Sequence, residues 1–354
     1  MSDYKKKLDD LVLIVTKEGG SDLHLTAGMN PVIRVAGDLI PLVNQPTLSP
    51  DDTMGITLEI LNERNKTLFL EEKEIDFSYS PDGIVRFRGN AFFQRGLVGV
   101  ALRLIPSNVQ TFEQLGLPPE LAEFTRREQG FFLVVGPVGM GKSTTLASMV
   151  DFINKERAEH IITIEDPIEY LFTNDRSIID QREVRFDTND FHSALQSMFR
   201  QDVNVAMIGE MRNPETIATA VTAAETGHLV FSTLHTNSAS QTIDRIIDSF
   251  PPGQQRQIRV QLAGSLIGIF SQRLVPRISG GLIPAYELLV NNNAVSNLIR
   301  EGRTAEIDVV IETGSTNGMI DLNNSLADLV RKGEISNDTA FRFSMNPRGL
   351  DRLL

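Results

Sequence analysis

The stretch Gly136-Pro-Val-Gly-Met-Gly-Lys142-Ser143 constrains this 354-residue chain more than any other, because it satisfies G-x-x-x-x-G-K-[ST] without a mismatch. The five residues before it, Phe131-Phe-Leu-Val-Val135, form the continuous apolar run that a strand buried on both faces requires. After it, Leu146, Met149, Val150 and Ile153 recur at helical spacing. Strand, glycine loop and helix in that order are the setting in which backbone N–H groups cradle phosphate. Gly136, Gly139 and Gly141 let the chain curl inward, Val138 and Met140 fill the loop, and the helix opening at Gly141 adds its positive end. Lys142 is placed for the β- and γ-phosphates and the Ser143 hydroxyl for Mg²⁺, with Thr144 and Thr145 towards the α-phosphate. The chain is expected to bind a nucleoside triphosphate.

Length favours two domains. The balance of 34 Lys+Arg against 46 Asp+Glu argues against a protein that wraps duplex nucleic acid, whose affinity comes largely from neutralising phosphates. The absence of cysteine removes disulfides, thiol catalysis and Cys-based zinc sites. Lys5-Lys6-Lys7 resembles the start of a signal peptide, but Asp9 and Asp10 interrupt it, and no apolar run is long enough to span a bilayer. These features predict a cytoplasmic protein with no direct membrane insertion, held at the membrane only through partners.

Residues 1–107 read as a small α+β domain with an antiparallel sheet. A helix is expected over Leu8–Lys17, a half-buried strand over Ser21–Thr26, a hairpin over Val32–Leu42, a helix over Asp52–Glu63, and strands over Ile84–Gln94 and Gly99–Ile105. The breakers between Pro106 and Pro119 mark a linker at 108–119. From 120 to 354 strands near 131–135, 160–164, 203–208 and 229–234 alternate with helices, which predicts a parallel α/β core with ligands at the carboxyl ends of its strands. Beyond about residue 251 the pattern reads as helical, apart from an apolar run at Leu282–Val290.

Three segments at predicted strand ends carry further chemistry. Ile161-Ile-Thr-Ile-Glu165-Asp166-Pro-Ile-Glu169 brings an apolar strand into three carboxylates, suited to orienting water or holding hydrated Mg²⁺. The residues alone do not choose between Glu165 and Glu169. Val205-Ala-Met-Ile-Gly-Glu210-Met-Arg212 ends a strand in an acid where a Walker-B carboxylate stands. Gly227-His228-Leu-Val-Phe-Ser-Thr-Leu-His235-Thr236 brackets a core strand with two of the chain's five histidines, which points to a γ-phosphate-sensing or strand-positioning role.

Together with Ser21-Asp-Leu-His-Leu25, these segments in this order resemble the type II/type IV secretion-ATPase superfamily, and within it the PilT/PilU-type retraction ATPases of type IV pili. The resemblance spans almost the whole chain. It implies a PAS-like N-terminal domain, a RecA-like parallel-sheet ATPase domain and a ring-shaped homohexamer. Such a ring hydrolyses ATP with Mg²⁺ to power pilus retraction and twitching motility. The implied partners are an inner-membrane platform protein and a paralogous pilus ATPase, with the motor at the inner face of the cytoplasmic membrane. Carried over by position, Glu169 becomes the catalytic glutamate, Glu210 the Walker-B acid acting on Mg²⁺ directly or through water, and His228 and His235 the "His box". The missing cysteines and short N-terminal segment favour the retraction type over the extension type.

The chain departs from the family pattern at Asp202-Val-Asn204, at Met140 and at Val295-Ser296 within Ala294–Glu301. A ring ATPase also needs positive charge from a neighbouring subunit at the γ-phosphate. Among the arginines of the small domain, Arg95 and Arg103 are the preferred candidates, with Arg212 acting in cis or at the ring interface. A nucleic-acid translocase or another secretion-system ATPase with the same RecA-like core is the competing reading, the translocase opposed by the acidic balance and the lack of Trp.

Overall fold

The computed structural model describes residues 3–81 and 85–354. They form two compact units, one reaching to Ser107 and one from Asn108 to Leu354.

The first unit is a six-stranded antiparallel sheet with helices Asp3–Lys17, Pro50–Ile60 and Glu63–Glu72. Its strands are β1 (Asp22–Thr26), β2 (Val32–Val35), β3 (Asp38–Pro41), β4 (Glu74–Tyr79), β5 (Arg86–Gln94) and β6 (Leu97–Ile105), in the order β3-β2-β1-β6-β5-β4. Leu8, Leu11, Val12 and Val15 recur every three or four residues, so the first helix turns one apolar stripe into the core that also holds Leu23, Phe87 and Val100 of the sheet. Ser49 and Asp52 cap the second helix reciprocally, which fixes its start at Pro50. The helix Glu63–Glu72 and strand β4 were not anticipated. The expected strand from Ile84 begins at Arg86; Ile84 itself lies outside the described residues. Arg95 occupies the β5–β6 turn with φ +52°, because Gln94 and Leu97 are the last paired residues of that hairpin.

The second unit is built on a seven-stranded sheet, β13-β12-β7-β11-β10-β8-β9. Its strands are β7 (Gly130–Val135), β8 (His160–Glu165), β9 (Ile178–Glu183), β10 (Val205–Ile208), β11 (Leu229–Leu234), β12 (Leu266–Pro276) and β13 (Leu282–Val290). All pairs are parallel except β12–β13. This is the RecA-like arrangement, an α/β sheet with the phosphate-loop strand inside it. β7 shows why its run is apolar throughout: Phe131, Leu133 and Val135 enter the core on one face, and Phe132 and Val134 the core on the other. Helix Lys142–Glu156 covers the second face through Leu146, Met149, Val150 and Ile153. Among the described residues no helix is long and apolar enough to cross a membrane.

Three expectations about this unit need correction. The stretch Leu266–Pro276 is an 11-residue strand rather than helix, and it pairs with the phosphate-loop strand. β9 is an additional strand at the sheet edge, where Ile178 and Asp180 are exposed and Glu183 is buried, so it gives no apolar alternation to read. The segment 108–119 folds with the second unit and contains a helical turn at Phe112–Leu115, with Phe112 and Leu117 buried.

Ala294–Glu301 lies within helix Asn293–Glu301, with Val295 and Ile299 fully buried. Ser296 is also buried, its hydroxyl 2.9 Å from the carbonyl oxygen of Ala263 and 3.1 Å from Oδ1 of Asn291.

Candidate active site

Parallel register aligns the carboxyl ends of four central strands. Val135 pairs with Leu234, Ser232 with Ile208, and Ile208 with Ile164. The loops that follow these strands therefore open on one edge of the sheet, around a cavity of about 380 Å³. Its walls include Lys142, Ser143, Glu165, Glu169, Glu210 and His235, from sequence segments almost a hundred residues apart.

The phosphate loop depends on its glycines at specific points. Gly136, Gly139 and Gly141 have φ of +149°, +76° and +77°. A Cβ at Gly136 would stand 2.3 Å from the backbone oxygen of Gln272, a contact that neither backbone can relieve. Gln272, on β12, braces the loop from beneath. Its Nε2 donates to the Met140 carbonyl at 2.7 Å, and its Oε1 accepts from the Thr145 hydroxyl at 2.7 Å. Thr145 thus departs from the expectation of a phosphate contact, since one helical step turns its side chain into the core, where it is 1 % exposed. Thr144 remains on the cavity wall, its hydroxyl 2.9 Å from that of Tyr170. Val138 projects at the rim, 78 % exposed.

Lys142 is buried. Its ammonium donates to the carbonyl oxygens of Gly136 and Pro137, both at 2.9 Å, and stands 3.2 Å from Nδ1 of His235. Burial pulls its pKa below the ordinary lysine value, while the charges of Glu169 and Glu210 act in the opposite sense.

The acids differ in placement. Glu165 is buried at the end of β8, and burial pushes its carboxyl up to about 7. One oxygen accepts from the Thr163 hydroxyl at 2.6 Å and from Gln181 Nε2 at 3.2 Å; the other accepts from the Glu169 backbone N–H at 3.3 Å. Glu169 is exposed on the cavity wall. Asp166 pairs with Arg185 at 3.5 Å. Glu210 follows β10 and binds the guanidinium of Arg212, a contact that raises the arginine's pKa.

The two histidines of β11 lie at opposite ends of the strand. His235 faces the cavity, whereas His228 stands at the amino end, bonded through Nδ1 to the Ala223 carbonyl at 3.0 Å and edge-on to Phe199. Of the two roles expected for it, strand positioning agrees better with this placement, since the ring stands away from the cavity. In the first unit, Arg103 bonds Asp22 at 2.8 Å and Arg95 is exposed.

Gln272 and Gln181 escaped the sequence reading. Neither belongs to a motif, and a lone glutamine on an unrecognised strand carries no periodic signal.

The comparisons with known proteins agree with this geometry. The type IV pilus retractation ATPase PilT of Pseudomonas aeruginosa is 44% identical over 333 residues, covering 94% of this chain and 96% of that protein. The type IV pilus ATPase PilU of the same organism is 41% identical over 335 residues, covering 94% of this chain and 87% of its own. A crystal structure of the pilus retraction motor PilT with bound ADP superposes with a TM-score of 0.89 at 45% identity, covering 97% of this chain and 98% of that one. The family described as "Type II/IV secretion system protein" matches residues 62–344. A sheet ordered around the phosphate loop, and a match across most of the chain, place the protein in the type II/IV secretion system protein family.

Proposed function

We propose that this chain is an ATP-hydrolysing motor for type IV pilus retraction. The observation that carries the reading is the meeting of Lys142, Glu169 and Glu210 around one cavity at the carboxyl edge of the sheet. The loop glycines and the N-terminus of helix Lys142–Glu156 suit a polyphosphate, and the similarity to ADP-bound PilT supports an adenine nucleotide as the ligand. In this reading Lys142 neutralises charge developing on the transferred phosphoryl group. Glu169 orients the attacking water through its free-facing carboxylate. The Ser143 hydroxyl and the Glu210 carboxylate are hard oxygen donors that would suit Mg²⁺, which when bound would supply charge neutralisation to the nucleotide's phosphates. His235 lies against Lys142 and keeps the ammonium within the loop.

The motor works as a homohexamer, its first unit PAS-like, with Arg95 or Arg103 offering charge to a neighbour's nucleotide and Arg212 acting beside Glu210. It sits in the cytoplasm against an inner-membrane platform protein, alongside a paralogous ATPase of the PilU kind. These assignments are supported by the likeness to PilT and PilU. Glu169→Gln keeps size and hydrogen bonding while removing charge, so ATP binding should persist while turnover falls by a hundredfold or so. Wild-type turnover in that variant would contradict the assignment. In cells, deletion of the gene should leave pili extended but unable to retract; normal retraction would remove the pilus reading while leaving the ATPase intact.

A further inference from the structure

The segment that carries Glu169 has no regular secondary structure of its own between Asp166 and Ser177. A loop in that position would ordinarily leave a catalytic carboxylate poorly fixed, since such segments are the more mobile parts of a fold. Here side chains from the two strands beneath it bind its backbone. Gln181 of β9 accepts from the Phe172 N–H at 3.0 Å through Oε1. Its Nε2 donates to the Tyr170 carbonyl at 2.8 Å and to Glu165 at 3.2 Å. Glu165 in turn accepts the N–H of Glu169 itself, and Glu183 accepts that of Ile168 at 3.3 Å. From the other side, Asn154 of the phosphate-loop helix donates to the Thr173 carbonyl at 2.8 Å and accepts from the Asp175 N–H at 3.0 Å.

Gln181 is the member of this frame whose carboxamide joins three partners, Glu165, Tyr170 and Phe172. An amide is the one uncharged group that supplies a planar acceptor and a two-proton donor at that reach. A carboxylate in its place would turn a lone pair towards the Tyr170 carbonyl and a second negative charge towards Glu165. We propose that Gln181 is a positioning residue for hydrolysis: through Glu165 and the Tyr170–Phe172 backbone it fixes where the Glu169 carboxylate stands. This rests on Glu169 having the role given above. Among the described residues Gln181 makes no hydrogen bond to the phosphate loop itself, so its contribution is expected on turnover rather than on nucleotide capture.

The test uses the full chain, with Gln181→Met keeping the side-chain length without hydrogen bonding. Small displacement of a catalytic group costs up to about a hundredfold in rate, so kcat should fall about 10- to 100-fold. KM for ATP and the affinity for ADP should stay within about threefold, because the uniform binding groups are untouched. In a Glu169→Gln background the same change should alter the residual single-turnover rate by less than about twofold, since the group being positioned is gone. Should Gln181→Met fail to fold, Gln181→Glu preserves the acceptor for Phe172 and should show the same turnover-selective loss. Wild-type kcat in a folded Gln181 variant, or a loss of equal size in the Glu169→Gln background, overturns the inference while leaving an inactive Glu169→Gln to support the catalytic reading. A fully active Glu169→Gln overturns both.

Discussion

The Nζ of Lys142 stands 3.2 Å from Nδ1 of His235, and an ammonium can only donate, so this imidazole turns a lone pair towards it and carries its proton on Nε2. Burial depresses the pKa of His235 below 6.5, and the charge of Lys142 depresses it further. The ring is therefore neutral at pH 7. A ¹³C-histidine titration should place its midpoint below that ordinary value, and turnover should fall as acidification protonates the ring against Lys142. His235→Ala should lower kcat by about tenfold or more, the loss of one well-placed polar group.

Lys142→Ala removes the loop's only point charge and should lower turnover by a hundredfold or more. In a closed ring each inactive subunit disturbs its neighbours. Mixtures of this variant with wild type should then lose activity more steeply than dilution predicts, and the mass in the presence of nucleotide should be that of a hexamer. A linear mixing curve from an active monomer would remove the ring.

Gln272→Met tests the brace beneath the phosphate loop. It strands the Thr145 hydroxyl and the Met140 carbonyl, and an unsatisfied buried polar group costs about 1–3 kcal/mol. Thermal unfolding of the ligand-free protein should fall accordingly, and calorimetry should find ADP bound about tenfold more weakly, or 1.4 kcal/mol. An unchanged ADP affinity would show that the loop keeps its shape without β12.

Glu287 on β13 accepts from the Ala239 N–H at 2.7 Å, yet burial raises its carboxyl to about 7, with Asp308 and Asp321 adding to the shift. The native state then holds a proton that the unfolded chain releases near pH 4.5. Stability is full below that value and declines as pH rises towards 7, by up to about 3 kcal/mol. Glu287→Gln keeps the acceptor and lacks the charge. Its melting temperature should gain on wild type between pH 5 and pH 8; a constant difference would place the titration elsewhere.

The parts of the site that are legible in the sequence are those where one residue type has no substitute. Gly136, Gly139 and Gly141 are needed for left-handed or crowded backbone, and β7 for burial on both faces, so loop and strand announce themselves. Glu210 follows because an apolar strand ends on it. Glu165 and Glu169 were not separable by pattern; the distinction is three-dimensional, one carboxyl being sunk among Thr163 and Gln181 while the other faces the cavity. β12 was hidden for another reason. Helix Pro252–Ser265 ends and the strand begins at Leu266 with no turn residue between them, and an apolar run without punctuation is ambiguous between helix and strand.

That missing turn has a mechanical meaning. The Ser296 hydroxyl grips the helix at the Ala263 carbonyl, the helix passes without a joint into β12, and β12 reaches the phosphate loop through Gln272. Gly264 and the irregular pairing of Leu266 and Gly268 with β7 are the points along this path where slack enters. The same line of contacts joins helix Asn293–Glu301 to the Met140 carbonyl, so ordering of the phosphate loop is felt at that helix only to the extent that this pairing holds.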